Sequence, residues 1–178
     1  MEVLRRKLEE REKRVEEVIG LCREVTRKAA RVIEKLVEGK KADAEFSADV
    51  QKLKKIIEKD PWVLLAAGGF VRIAMQEMAE AVIVKKAIVE NRIDIPEEFD
   101  HAAVTGLADA IGEIKRYFLK SIIRGEMKEA ARMLKLAEKG YKILAGLSFS
   151  NAVVPELKRK RDIARGVLTS MLEIMAKK

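Results

Sequence analysis

One apolar stripe with helical spacing runs through the first part of the chain and restricts its fold more than any other feature. Between residues 15 and 36, apolar side chains recur every three or four positions. They are Val15, Val18, Ile19, Cys22, Val25, Ala29, Val32, Ile33 and Leu36. Such a repeat places one side of a long helix against other elements. Ala, Glu, Lys, Leu and Arg supply 97 of the 178 residues, which favours long helices over sheets.

Further helical segments follow, separated by Gly, Pro and short polar loops. Gly39 suits the end of the first helix, and Asp60-Pro61 suits the start of the third. Gly68-Gly69 inside the third helix predicts close helix packing or a kink. The predicted helices cover residues 1–37, 47–59, 61–90, 102–124, 126–147 and 155–178. We predict an all-α, single-domain bundle of six to seven long antiparallel helices over residues 1–178.

Several classes of site and location are excluded by what the chain contains. The first ten residues are charged throughout, so we expect no signal peptide and a cytoplasmic protein. A lone Cys22 excludes an internal disulfide framework. The single His101 excludes zinc sites built on His or Cys pairs and di-iron bundles. The net charge of +8 permits a polyanionic partner.

The third predicted helix carries few charged or amide side chains for its length. Between residues 61 and 84 they are Arg72, Gln76, Glu77 and Glu80. A helix that is apolar on nearly all sides is expected in the core. At 100° per residue, its four polar side chains fall within an arc of about 140°. Two buried carboxylates there need a cation, a hydrogen-bond network or a water-filled cavity.

The fourth predicted helix has a second polar stripe, at intervals of three or four residues. Its members are Thr105, Asp109, Glu113, Arg116 and Lys120. If this stripe faces the third helix, its two acids meet Glu77 and Glu80 and four carboxylates converge. Two simpler interpretations stay open. The stripe is an ordinary solvated face, or the acids of the third helix form a salt bridge to Arg72 or Lys120.

Four carboxylates without His or Cys would form a hard, oxygen-only site. Such a site suits Mg²⁺ or Mn²⁺, which polarise phosphoryl oxygens and activate bound water. One free carboxylate could act as general base. No Gly-rich phosphate loop and no Ser/His/Asp or Cys/His set is present. Metal-assisted phosphodiester or pyrophosphate hydrolysis is therefore the enzyme class that the residues favour.

Positive charge is concentrated at the two ends of the chain. Residues 42–114 hold 8 basic and 14 acidic side chains, whereas residues 115–178 hold 16 basic and 6 acidic ones. The last helix begins with four consecutive basic residues, at 158–161. Lys158, Arg161 and Arg165 share one face of this helix. The pattern is consistent with contact to phosphate groups and also with a solvated basic turn.

Three short segments carry motifs of a known family. Residues 76–81, Gln-Glu-Met-Ala-Glu-Ala, resemble the segment Gln-Glu-Tyr-Val-Glu-Ala of the translin/TRAX family. Residues 106–113, Gly-Leu-Ala-Asp-Ala-Ile-Gly-Glu, resemble its Gly-Leu-Ala-Asp-Leu-Thr-Gly-Glu. Residues 157–162, Leu-Lys-Arg-Lys-Arg-Asp, resemble the Leu-Arg-Lys-Arg-Tyr-Asp that opens its last helix. The similarity covers about residues 10–178, with the helices in the same order. The chain resembles a prokaryotic or archaeal TRAX-like member of the family.

The resemblance implies hollow, usually octameric shells that bind RNA or single-stranded DNA. TRAX-type members use four acids as a Mg²⁺-dependent endoribonuclease site. By position these are Glu77, Glu80, Asp109 and Glu113, with Glu80 and Glu113 as the expected metal ligands. The expected nucleic-acid-binding residues are Arg116, Lys120, Lys158, Arg159, Arg161 and Arg165. A homo-oligomer or an assembly with a homologous chain would be the working form, with no membrane partner.

Other functions remain open at this stage. A non-catalytic shell would store or chaperone RNA or single-stranded DNA, with binding that falls steeply with salt. An all-α nucleotide pyrophosphatase also uses Glu-x-x-Glu and paired acids on helices. The first helix could instead be a partner-binding coiled coil, although its stripe fits a core or a subunit interface better.

Overall fold

A computed structural model describes residues 1–177 of the chain, which form six α-helices, one 3-10 turn at Glu97–Phe99 and no strand. The helices are α1 (Glu2–Val37), α2 (Ser47–Lys59), α3 (Trp62–Glu90), α4 (His101–Ile123), α5 (Met127–Ala145) and α6 (Leu157–Ala176). The all-α prediction is confirmed, and the predicted helix limits differ from these by at most two residues in the described part of the chain.

Local sequence signals explain where several helices begin and end. Gly39 and Gly125 have φ angles of 77° and 76°, so each supplies the left-handed conformation that follows a helix end. Asp60 Oδ1 accepts the backbone N–H of Trp62 at 3.2 Å, which satisfies a free donor at the start of α3. The predicted roles of Gly39 and Asp60 are therefore confirmed.

Helix α4 lies at the centre of the bundle. It packs against α1, α3, α5 and α6. Its inward side chains are fully buried, with Leu107, Ile111, Ile114 and Phe118 all at 0% exposure. The predicted stripe of α1 is buried over its C-terminal two thirds. Because α4 contacts both α3 and α6, it brings side chains from three helices to one place.

Helices α3 and α4 approach each other closely where they cross at Gly106. A Cβ added to this residue would lie 2.9 Å from the carbonyl oxygen of Gln76 and 3.0 Å from the backbone nitrogen of Glu80. The close packing predicted at Gly68-Gly69 is wrong, because a Cβ there would meet only the side chain of Leu64 or open space. A glycine on the partner helix provides the contact instead.

The first part of α3 is exposed, which corrects the prediction that this helix is buried on nearly all sides. Its C-terminal half is buried as expected. Its N-terminal half presents an apolar surface of Trp62, Leu64, Leu65, Phe70 and Ile73, between 40% and 76% exposed. We call these five residues the α3 apolar surface. No helix in residues 1–177 is both long and apolar enough to cross a membrane.

We expect Gly106→Ala to destabilise the protein. The added methyl group meets backbone atoms of α3, so the two helices must separate, at a cost of about 1–3 kcal/mol. Gly112→Ala on the same helix is the matched control, since a Cβ there meets nothing within 4 Å. That variant should gain roughly 0.5–1 kcal/mol from helix propensity. Urea denaturation measures both, and equal effects would contradict the close approach.

Candidate functional site

A polar cavity of about 240 Å³ lies between α1, α3 and α4. Three of the four predicted acids line it, namely Glu77, Glu80 and Glu113. The remaining lining residues are Ala30, Ile33, Glu34 and Arg116. The polar stripe of α4 therefore faces α3, which is the condition under which the acids were predicted to meet. The stripe is not a fully solvated face.

Glu80 is the most deeply buried acid of the group. The residue is 7% exposed, and within residues 1–177 no side chain hydrogen-bonds to its carboxyl group or forms an ion pair with it. Burial, together with repulsion from Glu77, Asp109 and Glu113, raises the pKa of Glu80 from 4.5 to about 9. The pKa of Glu77 is also raised, chiefly by burial. A cation entering the cavity would relieve this repulsion.

Asp109 is held from two sides. Gln76 Nε2 donates a hydrogen bond to its Oδ2 atom at 2.8 Å, and Lys160 Nζ lies 2.5 Å from the same oxygen. Lys160 belongs to α6 and is only 8% exposed. The partner of the acid cluster is therefore Lys160, and the predicted salt bridges from the acids of α3 to Arg72 or Lys120 are not present in residues 1–177.

The basic residues predicted to bind nucleic acid on α4 lie beside the cavity or just beyond it. Arg116 lines the cavity and pairs with Glu113 at 2.6 Å. The Arg116 side chain remains 54% exposed, so part of its guanidinium faces solvent. Lys120 lies one turn further along α4 and is half-buried.

The basic residues of α6 separate into different environments. Lys158 is exposed, and Arg159 and Arg165 are exposed and pair with Glu156 and Asp162 at 2.8 and 3.2 Å. Arg161 donates instead to the backbone carbonyl of Leu147 at 3.1 Å, which fixes the segment after α5. The structure thus leaves Lys158, Arg159 and Arg165 facing solvent, while Lys160 faces the acids.

The donor set fits a hard divalent cation with few protein ligands. Within residues 1–177, no three Asp, Glu, His or Cys side chains approach closely enough to hold an ion together as they stand. Mg²⁺ usually keeps several waters and binds through only one or two carboxylates. The cavity fits this mode of Mg²⁺ binding. It contains the buried, unpartnered carboxyl group of Glu80, and no Cys or His of residues 1–177 lines it.

Sequence reasoning missed three residues of this site. Glu34 lines the cavity but sits among many charged residues of α1, so no pattern distinguishes it. Gln76 was noted as polar without a role. The burial of Lys160 could have been predicted from its spacing. It falls three residues after Leu157 and four before Ala164, and both of these lie on the buried face of α6.

Comparison with known proteins supports the resemblance of the sequence segments. No family model matches the chain. An uncharacterized protein of Methanocaldococcus jannaschii is 31% identical over 163 residues, which cover 86% of this chain and 71% of that protein. The crystal structure of AfC3PO has a TM-score of 0.75 at 31% identity, covering 99% of this chain and 95% of that one.

Two further structures agree with this result. The structure of an AfC3PO–duplex RNA complex has a TM-score of 0.73 at 32% identity, covering 99% of this chain and 94% of that one. Apo-NeC3PO, at 21% identity and a TM-score of 0.75 over 98% of this chain and 95% of that one, shares the fold. C3PO structures are of the translin/TRAX type. This chain therefore belongs to the translin/TRAX family.

Proposed function

We propose that this protein binds RNA and cuts single-stranded RNA in a Mg²⁺-dependent endoribonuclease reaction. The observation that carries the proposal is Glu80, a carboxyl group buried without a partner beside Glu77 and Glu113 in one cavity. Retaining such a group is unfavourable for folding alone, and perturbed carboxyl groups of this kind cluster at functional sites.

The proposal of RNA binding draws on a relative and on charge. AfC3PO, which is 32% identical, was solved in a complex with duplex RNA. In this chain, Lys158, Arg159 and Arg165 are exposed on α6, and Arg116 borders the cavity. Cations at these positions would contact phosphates without reading bases.

Glu80 and Glu113 would hold the ion, with water completing its shell. When bound, Mg²⁺ would polarise a phosphoryl oxygen and lower the pKa of a bound water. Glu77 lines the same cavity with a raised pKa, so it is suited to accept the proton of the attacking water or hydroxyl group. Gln76 and Lys160 would keep Asp109 in a fixed orientation.

We also propose that the protein works as an oligomer, a homo-oligomeric shell or an assembly with a homologous chain. The α3 apolar surface supports this, because five large apolar side chains on one helix segment are seldom left in water. Leu4 and Leu8 of α1 are also about half exposed. Arg11 of the same helix stacks over Trp62, so this end of α1 continues the surface.

The first prediction concerns cleavage. Purified protein with Mg²⁺ should cut a single-stranded RNA, and Glu80→Gln should lower the rate at least about 100-fold, because it removes a ligand and its charge. EDTA should have the same effect, and a duplex RNA tested in parallel would report substrate form. Product lengths on denaturing gels provide the measurement.

Glu138→Gln, exposed on α5, is the matched control and should cleave like the wild type. Equal rates for wild type and Glu80→Gln would contradict the proposed site. Salt-sensitive binding without Mg²⁺-dependent products would select the non-catalytic scaffold instead. Release of pyrophosphate from a nucleoside triphosphate would select the nucleotide pyrophosphatase.

The second prediction follows from the protonation of Glu80. Burial raises its pKa to about 9, so the folded protein keeps a proton that the unfolded chain loses near its ordinary pKa of 4.5. The stability of the metal-free protein should therefore fall as the pH rises through this window. We expect a loss of up to roughly 3 kcal/mol between about pH 6 and about pH 8.5 in urea denaturation with EDTA.

Glu80→Gln has no group to titrate and should lose much less stability over the same range, whereas Glu138→Gln should follow the wild type. Replacing EDTA with Mg²⁺ should stabilise the wild type more at the higher pH, since ion and proton compete for the same oxygens. A wild-type profile identical to that of Glu80→Gln would contradict the burial of an unpartnered carboxyl group.

The third prediction concerns assembly. Leu65→Glu places a charge on the most exposed residue of the α3 apolar surface, at 76% exposure, and should lower the particle mass. Ile123→Glu is the control, since Ile123 is 84% exposed at the end of α4, outside this surface. Light scattering coupled to size-exclusion chromatography measures the mass. A wild-type monomer, or an unchanged mass in Leu65→Glu, would contradict the role of this surface.

A further inference from the structure

A buried ammonium group lies beside the acid cluster and contacts Asp109. Lys160 Nζ is 2.5 Å from Asp109 Oδ2, and the residue is 8% exposed. The positive charge of Lys160 also acts on the carboxyl groups of Glu77 and Glu80. Lys160 therefore acts electrostatically on three of the four acids, although it contacts only one of them directly.

The acids fall into two groups with respect to this charge. Glu77, Glu80 and Glu113 line the cavity, whereas Asp109 is not part of its lining. Asp109 already has Lys160 and Gln76 on its Oδ2 atom. Glu80, by contrast, is 7% exposed, faces the cavity and has no side-chain donor within residues 1–177. Glu80 is therefore positioned to bind a further cation, whereas Asp109 already has a cationic partner.

We propose that the Lys160 ammonium takes the place of a second divalent cation, so that the site accepts one divalent ion per chain. This inference rests on the proposed function. A second ion bound through Asp109 would lie within a few Å of the ammonium in a partly buried region, where repulsion between cations is weakly screened. The tether to α6 keeps the ammonium in place.

The chemistry of phosphoryl transfer explains why an ammonium group can replace one of two divalent cations. In two-metal sites, one ion assists the attacking oxygen and the other assists the leaving oxygen. An ammonium group offers three hydrogen-bond donors and a full positive charge, and it serves phosphate groups in many sites. Lys160 would supply a fixed positive charge beside Asp109, where a second ion would otherwise bind, while Gln76 keeps Asp109 aligned.

Mn²⁺ counting tests the proposal without measuring cleavage. Free Mn²⁺ is followed by electron paramagnetic resonance during titration of the full chain. The sites counted are those lost when Glu80→Gln and Asp109→Asn are added together to the same background. We expect one such site in the wild type, two in Lys160→Met and one in Lys160→Arg, since Arg keeps the charge.

Lys158→Met is the matched control, because it removes the same charge from an exposed position of the same helix, and it should keep one site. Two sites in the wild type would overturn the proposal, and that measurement does not depend on the folding of any Lys160 variant. One site in a folded Lys160→Met protein would also overturn it while leaving the proposed metal centre intact. The absence of any Glu80-dependent site in the wild type would overturn the proposed metal centre itself.

Discussion

The close approach of α3 and α4 at Gly106 is the constraint on which the candidate site depends. With no side chain at this position, backbone atoms of Gln76 and Glu80 lie where a Cβ would otherwise stand. The same crossing puts Gln76 within hydrogen-bond distance of Asp109 and places Glu113 in the cavity with Glu80. The acids are therefore positioned by two packed helices, which hold side chains more rigidly than loops do.

Burial of charge is the cost of this arrangement. Helix α3 is apolar around Glu80, so its carboxyl group loses most of its water without gaining a side-chain donor, and neighbouring acids add repulsion. Lys160 and Arg116 offset part of this through Asp109 and Glu113. Replacing a buried ionic cluster with apolar side chains is often neutral or stabilising, so this cluster contributes little to folding. Within residues 1–177, the salt bridges leave the buried acid of the cluster, Glu80, without a partner, and this unpaired carboxyl group allows the cavity to bind a cation.

Much of the fold and part of the site could be predicted from the sequence. The helices followed from apolar periodicity and from boundary signals such as Gly39 and Asp60, which act over a few residues. The four acids stood out because two of them interrupt an otherwise apolar helix, and family resemblance pointed to the same positions. The exposed start of α3 could not be predicted, because an apolar segment looks the same whether its own chain or another subunit covers it.

The sequence by itself determined which residues are helical, where the helices end and which acids share a face of α3 or of α4, because those properties depend on neighbours within one or two turns. Only the tertiary structure decided which faces meet. That choice made Gly106, rather than Gly68-Gly69, the contact point, and it brought Lys160, which its spacing places on the buried face of α6, onto Asp109. Contacts between distant segments depend on the packing of all the helices at once, so no local pattern encodes them.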